Sequence, residues 1–421
     1  MQDHVLKAAS APPWSPPPLT PSRWRALAIG LVGLTALLAA AYVVVQEVRS
    51  GSATAPRSIK TWAVDLNSDP GDDERLRAGD RAVVGLNAWE LDRLQEIKSQ
   101  SPGTTVLVYK DMASVRSYPG ALDDGQDAER LPTGVGYAEA DRADPAWFLT
   151  DSTGIRLEWA DYPGHWHVDV GDPDYQRLWI DNVLSELAAE GWDGVLIDNA
   201  LSRADLYNEG RPSARYPTDE SMQRATRSML AAAGTALQDR GFAVHANIGD
   251  GRLNPGLFED WGSLVTGPIE ENFVTFRTGD GFVRLLDDDA NSWRRQVDNV
   301  AASERAGQTP LVNVKGADND EAALLYGLSS FLLATEGRGS LSHDTNGWFP
   351  AFDYDLGRPV GTMTTLPDGG YGREFTNGFV VVNPTGTAVT VTLPGPYLDA
   401  SGDSVTTFRL ASGNGVILRS V

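Results

Sequence analysis

The sequence predicts an α/β chain: a (β/α)8 barrel with a C-terminal antiparallel β domain, preceded by an N-terminal transmembrane helix. Three observations carry this. Eight short apolar strands alternate with amphipathic helices across residues 60–350. Residues 194–201, GVLIDNAL, read as a strand apolar on both faces that ends on a carboxylate and an amide, which is the texture of a buried parallel strand. After about Phe352 the helical spacing stops, and β-branched runs separated by Asn-Pro, Pro-Gly and Asn-Gly turn signals take over.

Taken in order, residues 1–25 form a Pro-rich tail that closes on Arg23 and Arg25. Residues 26–45 are a run of 20 without a charge. At about 1.5 Å per residue such a run crosses a hydrocarbon core of roughly 30 Å. Residues 46–59 are a Ser/Gly/Ala/Pro linker and read as a tether. A cleaved signal peptide is the rival, since Ala39-Ala40-Ala41 offers small residues, but both the apolar run and the tail before it are long for one. The expected protein is single-pass in the cell membrane with its barrel outside, and the membrane is a partner through this helix.

The barrel is expected over 60–350 and a β-sandwich-like module over 351–421. Its strands are 62–66, 82–86, 105–109, 194–198, 243–247, 263–266, 310–314 and 339–341, and its main helices 88–100, 173–190, 219–240, 282–305 and 320–335. Several helices open on Asp, Asn or Pro, the residues that cap or start a first turn. Residues 112–172 are too long for a plain connection and predict a functional or covering loop. Closure into a barrel, rather than an open sheet, rests on the count of eight strands.

Composition removes several chemistries. With 57 acidic against 35 basic residues the formal charge is −22, a field that repels nucleic acid. The chain has no Cys, which excludes disulfides, thiol nucleophiles and Cys-ligated zinc. No Walker loop, dinucleotide fingerprint or G-x-S-x-G elbow occurs, so no nucleotide cofactor is implied. The acidic clusters Gly71-Asp72-Asp73-Glu74 and Asp287-Asp288-Asp289 lack calcium-loop spacing and read as solvated helix starts.

In parallel α/β sheets the residues just past the strand ends carry the chemistry. Here they are Asp65 and Asn67, Tyr109, Lys110 and Asp111, Asp198 and Asn199, His245 and Asn247, Glu270 and Glu271, Asn313 and Lys315, then His343 and Asp344. Carboxylates, amides and a Tyr at one mouth suit a polyhydroxylated ligand, a sugar. Glycoside hydrolysis needs a carboxylic acid to protonate the leaving oxygen and a carboxylate to attack or to activate water. Asp198 with Glu271 or Glu270 is the expected catalytic set, and Ile269 and Phe273 offer Glu271 an apolar setting that would keep its proton. Asp65, Tyr109, Lys110, Asp111, Asn199, Asn247, Trp166, His167 and Lys315 are the expected substrate contacts. Trp147, Trp159, Trp166 and Trp348 lie in loops, where an indole face can stack on a sugar ring. His165-Trp166-His167 has a His-x-His form, but with five His in all and no H-E-x-x-H it reads as substrate-contacting or structural, and no metal is implied.

Residues 191–199 (GWDGVLIDN), 168–176 (VDVGDPDYQ) and 373–384 (REFTNGFVVVNP) resemble a glycosyl hydrolase-like group of barrel proteins related to the endo-α-1,4-polygalactosaminidase family. The resemblance spans about residues 62–421. It implies a TIM barrel with a C-terminal β domain and a carbohydrate substrate, a nucleophile or base at Asp198 after strand four, and an acid at Glu271 after strand six with Glu270 as the alternate. The expected function is a membrane-anchored extracellular glycoside hydrolase acting on a polysaccharide or cell-surface glycan. Its rivals are a non-catalytic carbohydrate-binding or cell-wall scaffold barrel, and a metal-dependent hydrolase centred on His165, His167 and Asp169.

Overall fold

The computed structural model describes residues 58–66, 76–279, 281–287, 293–317, 320–367 and 369–421. The tail, the apolar run 26–45, the linker to Arg57, Asn67, the cluster 71–74, and Asp288 and Asp289 lie outside the described residues. Among the described residues no helix is long and apolar enough to cross a membrane. Ser58–Val421 form one compact unit.

Eight parallel strands follow one another in a single sheet: β1 Trp62–Asp65, β2 Val83–Leu86, β3 Thr105–Asp111, β4 Gly194–Ala200, β5 Ala243–Ile248, β6 Gly267–Glu270, β7 Leu311–Val314 and β8 Ser340–His343. The sheet curls until its edges meet. A parallel bridge joins Thr61 to Leu341, whose N–H donates to the Lys60 carbonyl at 3.1 Å. Strand pleat divides the side chains between the barrel interior and the helix layer. Trp62, Leu107, Tyr109, Leu196, Ile269 and Leu311 fill the interior, and the Trp62 indole donates to the Val312 carbonyl at 2.9 Å.

The helices are α1 Leu91–Gln100, α2 Tyr137–Ala143, α3 Pro173–Glu190, α4 Asp219–Gln238, α5 Leu257–Gly262, α6 Trp293–Arg305 and α7 Glu321–Ala334. Local chemistry sets their ends. The Asp172 carboxylate caps α3 by accepting from Asp174 N and Tyr175 N, Pro173 occupies its first position, and Gly191 ends it at φ 85°.

Two expected elements are displaced. Strand six is not 263–266 but Gly267–Glu270. Gly-Pro reads as a turn in sequence, yet a Cβ at Gly267 would stand 2.1 Å from the Thr309 carbonyl oxygen, so glycine is required where two backbones close in. Of the helix expected over 282–305, Trp293–Arg305 is helical among the described residues, whereas Gly281–Arg284 is a strand paired antiparallel with Thr275–Thr278.

The insertion 112–172 is ordered by short pieces. Ser114–Arg116 pairs with His165–His167, and α2 packs beside them. From Pro359 the chain makes one six-stranded antiparallel sheet, in place of the expected sandwich: β9 Pro359–Thr365, β10 Tyr371–Phe375, β11 Gly378–Asn383, β12 Val389–Leu398, β13 Ser404–Leu410 and β14 Asn414–Ser420. Phe375, Val380, Val382 and Ile417 share a core with Leu324, Leu328, Phe331 and Leu332 of α7. That explains why α7 is apolar nearly all round: the barrel covers one side and the sheet the other.

Candidate active site

The strand-four residue Asp198 stands at the centre of the barrel mouth. Its Oδ2 accepts from the Tyr109 hydroxyl at 2.5 Å, and its Oδ1 accepts from Asn199 N at 2.8 Å and Asn247 Nδ2 at 2.9 Å. The same Asn247 Nδ2 donates to Glu271 Oε2 at 3.2 Å. The two carboxylate oxygens are therefore no farther apart than the sum of those two contacts, about 6 Å. Lys315 Nζ lies 3.6 Å from the other Glu271 oxygen and 2.9 Å from Asp344 Oδ1. Asp198, Glu271, Tyr109 and Asn247 line both a cavity of about 380 Å³ and a neighbouring one of about 120 Å³, so the pair sits where two cavities meet.

Backbone geometry aims the next residue. Asn199 lies at φ 58° beside a register shift between β4 and β5, in the left-handed region that Asn tolerates better than most residues. Its side chain donates to Asp111 Oδ2 at 2.9 Å and accepts from the Tyr207 hydroxyl at 3.2 Å. Tyr207, Asp250 and Asn346 also have positive φ, and all four residues line one of these two cavities.

Several expected substrate contacts are placed otherwise, for one reason: alternation along a strand sends every second side chain to the helix layer. Asp65 points outward and binds Arg93 Nη1 of α1 at 2.8 Å. Lys110 is fully buried between barrel and helices, where Nζ bonds Glu186 at 2.6 Å and the Leu131 carbonyl at 2.7 Å, and burial pushes its ammonium pKa down. Asp111 lies opposite Asp198 in the strand register but has no exposed surface; it accepts from Ala113 N, Ser114, Arg116 and Asn199. Burial, aided by Asp198, raises its pKa to about 6 against the pull of Arg116.

In the His165-Trp166-His167 strand, only His165 reaches the cavity. The Trp166 indole donates to Ser117 Oγ at 2.8 Å, and His167 is buried against Trp159, its pKa lowered to about 4 by burial. Asp169 binds Tyr216 and Arg215 instead. These three residues do not converge, and no group able to hold a metal ion occurs among the described residues. Trp147 packs on Tyr175 and Trp348 lies under Arg77, so of the four loop tryptophans Trp159 alone lines the main cavity. Trp159 stacks on Tyr207 at 4.1 Å and 14°. Sequence reasoning missed Tyr162, Tyr207, Arg116, Arg252 and Asp250 in that wall. Arg116 ends a short strand of the insertion and the others lie in the connections after the barrel strands or in the insertion, where no long periodicity reports direction.

The doubled glutamate splits in two. Glu270 ends β6 buried in the wall of the main cavity, with Oε1 accepting from Asn272 N at 3.0 Å and 3.9 Å from Arg252 Nη1. Burial raises its pKa to about 7, with Glu271 and Asp250 adding and Arg252 opposing. The Glu271 side chain is 52% exposed among Asn247 and Lys315. The apolar setting expected for it is absent, because Ile269 fills the barrel interior and Phe273 is buried in the α7 core. A carboxyl whose folded pKa is raised favours the fold when protonated, and that contribution disappears as pH rises through about 7. Glu270→Gln should therefore be more stable than the wild type at pH 8, by on the order of 3 kcal/mol, with the advantage gone below about pH 4.5. Urea unfolding at the two pH values checks it; equal differences at both would refute the assignment.

The model of hypothetical glycosyl hydrolase family 15 matches residues 98–379. No curated protein matches the chain. Similar solved structures include the glycoside hydrolase domain of PelA from Pseudomonas aeruginosa, at 17% identity over 70% of this chain and 96% of that one with a TM-score of 0.43. A noncanonic maltogenic α-amylase, AmyB from Thermotoga neapolitana, is 12% identical over 86% of this chain and 99% of its own, with a TM-score of 0.48. An α-amylase from Geobacillus thermoleovorans is 10% identical over 87% and 99%, also with a TM-score of 0.48. With its family model covering most of the barrel, the chain belongs to hypothetical glycosyl hydrolase family 15.

Proposed function

We propose that this protein hydrolyses O-glycosidic bonds of a polysaccharide or cell-surface glycan, with Asp198 as nucleophile and Glu271 as acid and then base. The observation that carries the proposal is the single amide of Asn247 held between the two carboxylates. With one oxygen of each group held within about 6 Å of the other, the pair is close enough for a retaining enzyme, whose carboxyl groups stand about 5–5.5 Å apart. In the first step an Asp198 oxygen bonds to the anomeric carbon while the glycosidic bond breaks and Glu271 gives its proton to the leaving oxygen. In the second, Glu271 takes a proton from water, whose oxygen displaces Asp198. Tyr109, Asn199 N and Asn247 fix the plane of the nucleophile throughout. The border between two cavities supports a scissile bond with one sugar on each side.

Proton NMR of the first product formed by the full chain from a panel of polysaccharides tests this: the product should keep the anomeric configuration of the substrate. EDTA should leave the rate unchanged, since each proposed step uses only carboxylates and water. An inverted product would reassign Asp198 as a base, and a rate lost to EDTA and restored by Zn²⁺ would replace the mechanism.

We also propose that residues 26–45 anchor the protein with the barrel outside the cell, an expectation supported by 20 uncharged residues before a tether. The full chain should stay with membranes through a high-salt wash, whereas a chain starting at Ser58 should be recovered without them. A mature N-terminus just after the apolar run would replace the anchor with a cleaved signal.

A further inference from the structure

We infer a distal glycan-binding subsite at the seam between the barrel and the C-terminal sheet, which makes that sheet part of substrate binding. The inference rests on the glycosidase proposal and extends it away from the reacting atoms. A cavity of about 310 Å³ opens between the hairpin of Thr275–Thr278 with Gly281–Arg284, the start of α7, and the turn before β14. Val283, Arg284, Lys315, Asp320, Ser412 and Gly413 line it.

Three features suit a sugar. Lys315 lines both this cavity and the smaller one that holds Asp198 and Glu271, so the two cavities lie on either side of one residue, within reach of one glycan chain. The Lys315 backbone N–H donates to Thr275 Oγ1 at 2.7 Å, which fixes that passage to the hairpin. Val283 is 42% exposed, one of few large apolar side chains left in solvent among the described residues, and it offers a face for the apolar side of a pyranose ring. Around it the charges are mixed: Arg284 donates to the Gly413 carbonyl at 3.0 Å and stands 3.6 Å from Asp320. Mixed polar groups beside an apolar face, on a chain of net charge −22, fit polyhydroxylated units that are not polyanionic.

Arg284→Ala would be the obvious variant, but Arg284 ties the hairpin to the C-terminal sheet and its loss can unfold the seam. Val283→Asp changes an exposed position and keeps those ties. The full chain, Val283→Asp and Asp198→Asn are run in affinity electrophoresis through gels holding soluble starch, laminarin, galactomannan, hydroxyethyl cellulose or polygalacturonate. The wild type and Asp198→Asn should be retarded in at least one of the first four gels, and Val283→Asp should bind that polysaccharide at least threefold more weakly. Equal retardation of Val283→Asp, retardation in polygalacturonate alone, or none in any gel would overturn the subsite. Turnover is scored separately: activity persisting in Asp198→Asn would overturn the catalytic proposal, whatever the gels show.

Discussion

Asp198→Asn should reduce glycan turnover by about 10⁴-fold or more, with the thermal midpoint within a few degrees of the wild type. Asn keeps the shape: its oxygen can accept from Asn199 N and Asn247 Nδ2 while its NH2 donates to the Tyr109 hydroxyl oxygen, so the contacts at the barrel mouth survive with the Tyr109 bond reversed and the attacking charge is lost. Glu271→Gln should cost about 10²–10⁴-fold, the range for a positioned general acid. Its cost should shrink on aryl glycosides, whose leaving groups need no proton. Glu270→Gln is the informative comparison, because Glu270 lines the main cavity too but stands beside Arg252, whereas Glu271 shares Asn247 with Asp198. Steady-state rates on natural and aryl substrates separate the three. A Glu270→Gln loss equal to that of Glu271→Gln, with Glu271→Gln indifferent to leaving group, would move the acid role to Glu270.

Arg373→Met should destabilise the fold by about 3–5 kcal/mol, the range for removing one partner of a buried charged network. The Arg373 guanidinium is buried at the end of α7, where it donates to the carbonyls of Leu332, Leu333 and Thr335 and pairs with Glu336. Those carbonyls are the ones a helix C-terminus leaves without partners, so one residue of the sheet finishes a helix of the barrel. Arg373→Lys should recover little, since a single ammonium cannot reach acceptors spread around a planar fork. Urea unfolding followed by tryptophan fluorescence and by circular dichroism should give one shared transition for Ser58–Val421. Two separated transitions would show that barrel and sheet unfold independently and that the shared core is weak.

The strands, the main helices and the central carboxylate were legible because they depend on local information. An apolar run buried on both faces reads the same in any parallel sheet, and Asp198 closes such a run. Asp172-Pro173 and Gly191 mark both ends of α3 through backbone chemistry that needs no tertiary partner. Glu271 was within reach too, since two adjacent glutamates after one strand must face opposite sides. Which of them shares Asn247 with Asp198 depended on where β6 begins, and that was hidden in Gly267, a residue demanded by the Thr309 backbone across the strand gap.

By itself the sequence determined the barrel, the C-terminal β texture and the strand ends where carboxylates collect, because hydrophobic period and end-capping are short-range properties. Only the tertiary structure decided which polar residues share a site. Lys110 and Asp65 sit one position from inward-facing residues, yet pleat turns them to Glu186 and Arg93 in the helix layer. Trp159, Tyr207 and Arg252 come from three separate loops and meet only because the barrel brings their anchoring strands round one axis. The contact that joins Asp198 to Glu271 spans β4, β5 and β6, and no spacing along the chain encodes it.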